Sequence, residues 1–242
     1  MRFLCLHGFG TNSQIFKIQT ASFPPTCALA AIRYELGDGH EYEFVEGCVP
    51  WPAAPEIKSL LPSTDETFAY YDPTSPASIL KAIDDLETYI ETEGPFDGVL
   101  GFSHGASLAA SFIARKHHQD HLKPVFKCAI LISAPPAMAW QGLSGAKQLR
   151  ILDADEDGEL IQMPTAIIWG RQDPYLGAVS ALGTVIPKLC GAANRVEYVH
   201  GGGHEVPSSS SMEVLAGSVK MIKRVIDMAH RWEAVDGGVS DL

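Results

Sequence analysis

Positive charge is scarce in this sequence. Of its 242 residues, 18 are lysine or arginine and 29 are aspartate or glutamate, a net charge of −11 with histidine neutral. Nucleic acid and anionic membrane surfaces both call for a basic face, so neither is expected as the main partner. Long apolar runs are absent too; none approaches the roughly 18 residues of a membrane-spanning helix. The five cysteines (Cys5, Cys27, Cys48, Cys128, Cys190) are odd in number, scattered and without a C-x-x-C. Neither a disulfide framework nor a zinc site is indicated. There is no N-x-S/T acceptor, and Met1-Arg2 leads straight into the strand-like Phe3-Leu4-Cys5-Leu6, which leaves no room for a secretory leader. A cytoplasmic protein with reduced thiols is expected.

What is plentiful is apolar side chain: 46% of residues, against 19% charged. That excludes disorder and provides for a sizeable core. Six short apolar runs read as strands: Arg2–Leu6, Glu41–Glu46, Asp97–Gly101, Phe126–Ile132, Thr165–Trp169 and Arg195–Val199. Several are apolar on both faces, as buried parallel strands are. Helical stripes lie between them. Ser75-Pro76 reads as an N-cap and first turn, Ile79, Leu80, Ile83, Leu86 and Ile90 form one apolar face, and Gly94-Pro95 stops it. Leu215, Val219, Ile222, Val225 and Ile226 form another. Alternating strand and helix predicts one α/β domain over 1–242, a mostly parallel sheet of about six strands with helices on both faces. Two connections, 47–75 and 134–164, are long enough to be lids or substrate segments. The first has five prolines with Trp51, Tyr70 and Tyr71; the second has Met138 and Trp140. These five side chains are candidate substrate contacts. The tail 234–242 is expected to fray.

Gly101-Phe102-Ser103-His104-Gly105 is the only G-x-S-x-G in the chain. The pattern alone is weak. Its setting strengthens it, because a strand-like Gly98-Val99-Leu100 precedes it and a helix-like Ala106–Ile113 follows. A nucleophile elbow needs that strand–turn–helix context. A serine hydroxyl needs an adjacent base, and the base needs an acid to hold its tautomer. In α/β-hydrolases both follow the serine in sequence. Asp173 comes just after the strand ending at Trp169, and His204 just after the strand ending at Val199. Both positions are carboxyl ends of strands, where open α/β sheets keep their sites. His200 competes with His204, but the three glycines 201–203 let the chain turn back over the sheet edge. Oxyanion donors are expected from the N–H of His104 and of Phe9 in the first loop, with Gly10 as the neighbouring candidate.

Four segments carry a family resemblance. Leu4-Cys5-Leu6-His7-Gly8-Phe9-Gly10-Thr11-Asn12 with Ile15-Phe16, the run Gly94–Ser103, Trp169-Gly170-Arg171-Gln172-Asp173-Pro174 and His200–Pro207 together resemble the fungal family of small serine hydrolases (FSH). The resemblance implies an α/β-hydrolase fold with a Ser103–Asp173–His204 triad and no cofactor or metal. It also implies esterases, or thioesterases of polyketide secondary metabolism that release an acyl chain from an acyl carrier protein by hydrolysis or lactonisation. Two positions depart from the pattern. His104 stands where many members have Gln, and Ala134-Pro135-Pro136 replaces a more glycine-rich segment. Two other readings stay open: a general carboxylesterase of small esters, and a non-catalytic hydrolase-like binding protein.

Other signals read as structural. Asp153–Gly158 imitates a calcium loop, but its twelfth position is Pro164. Gly8-Phe9-Gly10 with Glu46 imitates a dinucleotide site without the third glycine. His117, His118 and His121 read as a solvated helix end. The neighbouring Arg115, Lys116 and Lys123 form a basic cluster that an acidic carrier protein would meet.

Overall fold

The structure is a computed structural model and describes residues 1–21, 31–57, 66–141, 149–176 and 182–236. Its strands, in chain order, are β1 (Arg2–Leu6), β2 (Glu41–Val45), β3 (Val49–Pro50), β4 (Phe68–Ala69), β5 (Gly98–Phe102), β6 (Cys128–Ile132), β7 (Thr165–Gly170) and β8 (Arg195–His200). Its α-helices are α1 (Ser13–Thr20), α2 (Ile32–Leu36), α3 (Pro76–Glu93), α4 (His104–Gln119), α5 (Ala154–Asp157), α6 (Val185–Leu189) and α7 (Met212–Asp236). The end of the expected fraying tail, 237–242, lies outside the described residues.

The main sheet is parallel throughout and runs β2-β1-β5-β6-β7-β8, so β2 and β8 are its edges. This is the α/β-hydrolase arrangement. All six expected strands are present, with ends displaced by no more than two residues. Asp97 lies just before β5, and its carboxylate accepts the Arg2 N–H at 2.8 Å. The antiparallel pair β3–β4 was not foreseen; two residues per strand are too few to show a period.

Side-chain alternation sorts the core into two layers. Leu4 and Leu6 face α3 and α4, whereas Phe3 and Cys5 face α1, α2 and α7. The middle strands are buried on both sides, which explains their unbroken apolar runs. The Ser75 hydroxyl accepts the Ser78 N–H ahead of Pro76, as an N-cap should. Asn12 caps α1 in the same way, its Oδ1 accepting the Ile15 N–H at 2.8 Å. The chain leaves β1 for the β2 edge and returns on the other side at β5. Such a reversal opens a crevice beyond the carboxyl ends of the two strands.

Candidate active site

Ser103 joins β5 to α4 with φ 51° and ψ −117°, a strained conformation for a residue with a Cβ. The turn is possible because the flanking glycines leave no side chain in the way. A Cβ on Gly101 would lie 2.6 Å from Ala106 Cα, and one on Gly105 would lie 2.4 Å from the Leu6 carbonyl oxygen. The Ser103 N–H donates to the Ile132 carbonyl at 2.8 Å, tying the elbow to β6.

Three side chains from distant parts of the chain meet here. His204 Nε2 lies 2.8 Å from Ser103 Oγ, and His204 Nδ1 lies 2.6 Å from Asp173 Oδ2. An ionised carboxylate only accepts, so Nδ1 carries the proton and Nε2 presents its lone pair to the serine hydroxyl. Asp173 is 2% exposed, and its Oδ1 accepts the N–H groups of Tyr175 (2.8 Å) and Leu176 (3.1 Å). Burial alone would raise its carboxyl; the His204 hydrogen bond and charge, with the two backbone donors, outweigh burial and hold it below the ordinary value. The rings of Phe102 and Tyr175 pack on the imidazole at 5.2 and 5.0 Å. Sequence reasoning did not single out either ring; both stand next to a motif residue.

His200 lies away from this line. It is buried, and its Nδ1 accepts the Gly202 N–H at 3.1 Å, so it shapes the turn that brings His204 back.

The first loop is fixed from below. His7 Nδ1–H donates to the Gly8 carbonyl at 2.8 Å, and Thr11 Oγ1 donates to the same oxygen at 2.9 Å. The Gly10 N–H is taken up by the Phe68 carbonyl at 3.0 Å. Among the described residues the N–H groups of Phe9 and His104 have no hydrogen-bond partner. Between the two oxyanion candidates in this loop, the geometry therefore favours Phe9 over Gly10.

A cavity of about 1320 Å³ opens over Ser103 and His204, with a mostly apolar lining. Of the five aromatic or sulfur side chains expected to meet substrate, Trp51, Tyr71 and Met138 line it; Tyr70 and Trp140 do not. The Tyr70 hydroxyl accepts the His7 N–H and donates to the Val45 carbonyl, both at 2.9 Å, so it braces the ends of β1 and β2. Trp140 packs on His118 at 5.6 Å and on the core. An aromatic in a loop carries no periodicity to say which way it faces.

The basic cluster is largely neutralised. Arg115 is 6% exposed and pairs with Asp84 and Glu87 of α3, and Lys116 pairs with Glu87 at 2.7 Å. In the acidic loop Asp153 caps α5, and Asp157 takes both terminal nitrogens of Arg150 at 2.7 and 2.8 Å. Glu46 accepts the N–H and the hydroxyl of Ser13 at the start of α1. Among the described residues no group of three or more His, Cys, Asp or Glu is placed to hold a metal, and no helix is long and apolar enough to cross a membrane.

Comparison with known proteins identifies the family and the fold. The family model described as serine hydrolase (FSH1) matches residues 1–215. Esterase FPY3 of Fusarium mangiferae is 43% identical over 232 residues, covering 95% of this chain and 98% of the relative. Two solved structures share the fold at low identity. A carboxylesterase from Mesorhizobium loti aligns with TM-score 0.55 at 18% identity, covering 92% of this chain and 88% of its own. Acyl-protein thioesterase 2 of Zea mays aligns with TM-score 0.57 at 16% identity, covering 93% of each chain. With the family model spanning most of its length and a full-length relative that is an esterase, this chain belongs to the FSH1 serine hydrolase family and is a hydrolase of α/β-hydrolase fold.

Proposed function

We propose that Ser103 is the nucleophile of an ester or thioester hydrolase, with His204 as its base and Asp173 as the orienting acid. The observation that carries this reading is the unbroken hydrogen-bond line from Asp173 through His204 to Ser103, at 2.6 and 2.8 Å, opening on an apolar cavity. His204 Nε2 takes the hydroxyl proton as Oγ attacks the carbonyl carbon. The N–H groups of Phe9 and His104 receive the developing oxyanion, helped by the positive end of α4. His204 then gives its proton to the departing alcohol or thiol, leaving an acyl-serine. Water, or a hydroxyl of the acyl chain itself, attacks that ester with His204 again as base; the first yields an acid and the second a lactone. Asp173 stabilises the imidazolium in both halves.

The finer reading is release of an acyl or polyketide chain from an acyl carrier protein. The size and apolarity of the cavity support a long acyl group. Residues from both long connections line it, Trp51 from one and Pro135, Pro136 and Met138 from the other, which supports their reading as substrate segments. The pairing of Arg115 and Lys116 with α3 removes that cluster as support for a carrier-docking face. A second reading, a carboxylesterase of small esters, is favoured by the 43% identity to an esterase. Rates on acyl-carrier, acyl-N-acetylcysteamine and simple ester substrates separate the two.

Ser103→Ala is expected to lower ester turnover by several orders of magnitude and to leave circular dichroism unchanged. Wild type, but not this variant, is expected to label with a fluorophosphonate. A variant that cleaves a p-nitrophenyl ester at the parental rate refutes the assignment, and a wild type that does not label revives a non-catalytic binding role.

A further inference from the structure

The residue after Ser103 offers the cavity more than a backbone N–H. His104 is 7% exposed, yet it is one of the residues that line the cavity. Its Nε2 lies 3.1 Å from the Tyr70 nitrogen and 3.3 Å from the Tyr71 nitrogen. Both are backbone donors, so Nε2 must present its lone pair and the proton of the neutral ring must sit on Nδ1. Burial lowers the imidazole to about 3, so the ring stays neutral at any ordinary working pH. The two N–H bonds fix the ring plane, and the Tyr71 and Phe9 rings pack against it at 4.0 and 4.9 Å.

Among the described residues Nδ1 has no hydrogen-bond partner. Nor is it one of the side-chain atoms shut away from solvent without one, as Ser133 Oγ and His200 Nε2 are. On a buried ring of a residue that lines the cavity, this N–H is the donor left for a ligand.

We infer that His104 Nδ1–H is a specificity-determining donor, selecting esters or thioesters that carry an acceptor oxygen within a few atoms of the scissile carbonyl. The inference rests on the Ser103 chemistry proposed above. In that chemistry the backbone N–H of the same residue holds the carbonyl oxygen, and only Cα, Cβ and Cγ separate this nitrogen from Nδ1. The second oxygen therefore sits close to the first. It is a 3-oxo or 3-hydroxy group on the acyl side, or an ether or hydroxyl oxygen at the matching place on the alcohol side. A plain hydrocarbon chain seated there strips water from the N–H and returns nothing, whereas an acceptor oxygen restores the bond.

The test compares kcat/KM, by pH-stat titration, within two substrate pairs: ethyl 3-hydroxyhexanoate against ethyl hexanoate, and 2-methoxyethyl hexanoate against butyl hexanoate. Wild type is expected to favour the oxygenated member of one pair by about tenfold, the worth of one such hydrogen bond. The pair that responds tells which side of the ester carries the oxygen. In His104→Leu the ratio is expected to fall to about one. His104→Gln retains an acceptor for the Tyr70 and Tyr71 N–H groups and a side-chain donor, and is expected to keep most of the preference. Because the readout is a ratio within one protein, a general loss of activity cancels. Wild-type ratios near one in both pairs overturn the inference, and so does a preference that survives in His104→Leu. Fluorophosphonate labelling keeps the two readings apart: a labelled Ser103 with equal rates sinks this inference alone, while no labelling sinks the Ser103 chemistry beneath it.

Discussion

His104 carries a second consequence, for stability. Its folded value, about 3, lies below the 6.5 of a free imidazole. As pH falls through that window the unfolded chain takes up a proton that the folded chain refuses, so stability declines with acid, by up to a few kcal/mol. Asp173 acts in the same direction: its lowered carboxyl contributes stability above the ordinary carboxylate value, and that is lost as pH falls through the folded one. The urea midpoint of wild type is therefore expected to drop steadily from pH 6.5 to about 4. His104→Gln, with nothing to titrate at that site, is expected to drop less; an equally steep decline in the variant contradicts the account. At this scale the sequence was most readable where chemistry restricts residue type. A lone serine between glycines, an aspartate and a histidine after successive strands, and their order sufficed to choose Ser103, Asp173 and His204. The role of Tyr70 was not readable, because its hydroxyl joins His7 to Val45, partners 63 and 25 residues away. His7 escaped notice for a similar reason, since nothing local shows that its ring turns back on the Gly8 carbonyl.

Between elements, α3 and α4 are joined by charge as well as by apolar packing. Arg115 reaches out of the core to Asp84 and Glu87, and its own side chain is 7% exposed. Removing a buried guanidinium loses the packing of its stem as well as the pair. Arg115→Met is expected to cost about 1–3 kcal/mol and lower the thermal midpoint by several degrees. Ester turnover at 25 °C should be unaffected, because the contact lies on the helix layer away from the sheet edge. A drop in turnover on a carrier-bound substrate alone would restore the cluster as a docking face. The six sheet strands were readable because burial on both faces leaves a continuous apolar run. The β3–β4 pair was not, since its strands are two residues long and β4 is also tied to the distant first loop: Gly10 N–H donates to the Phe68 carbonyl, and Phe68 N–H donates to the Thr11 carbonyl at 2.7 Å.

For the molecule as a whole, the crevice between β1 and β5 decides where chemistry can occur. The first loop, the elbow and the two later strand ends all open onto it, and the cavity above is bounded by segments from both long connections. The expectation of a mostly parallel sheet placed the site at the carboxyl ends of its strands in advance; the strand order and the volume of the cavity, which depends on how loops pack, had no signature. Filling it is expected to shorten the acceptable chain. Met138→Trp should lower kcat/KM for decanoyl esters at least tenfold more than for acetyl esters, measured on a p-nitrophenyl series. An equal loss at all lengths would place the acyl group elsewhere. The position of β8 has one more effect. A margin strand is zipped along one side only, and this one delivers the imidazole. Fraying there disconnects the serine from its proton acceptor while the other strands stay assembled. On gradual warming, catalysis should fade ahead of ellipticity, so the protein falls silent before it melts.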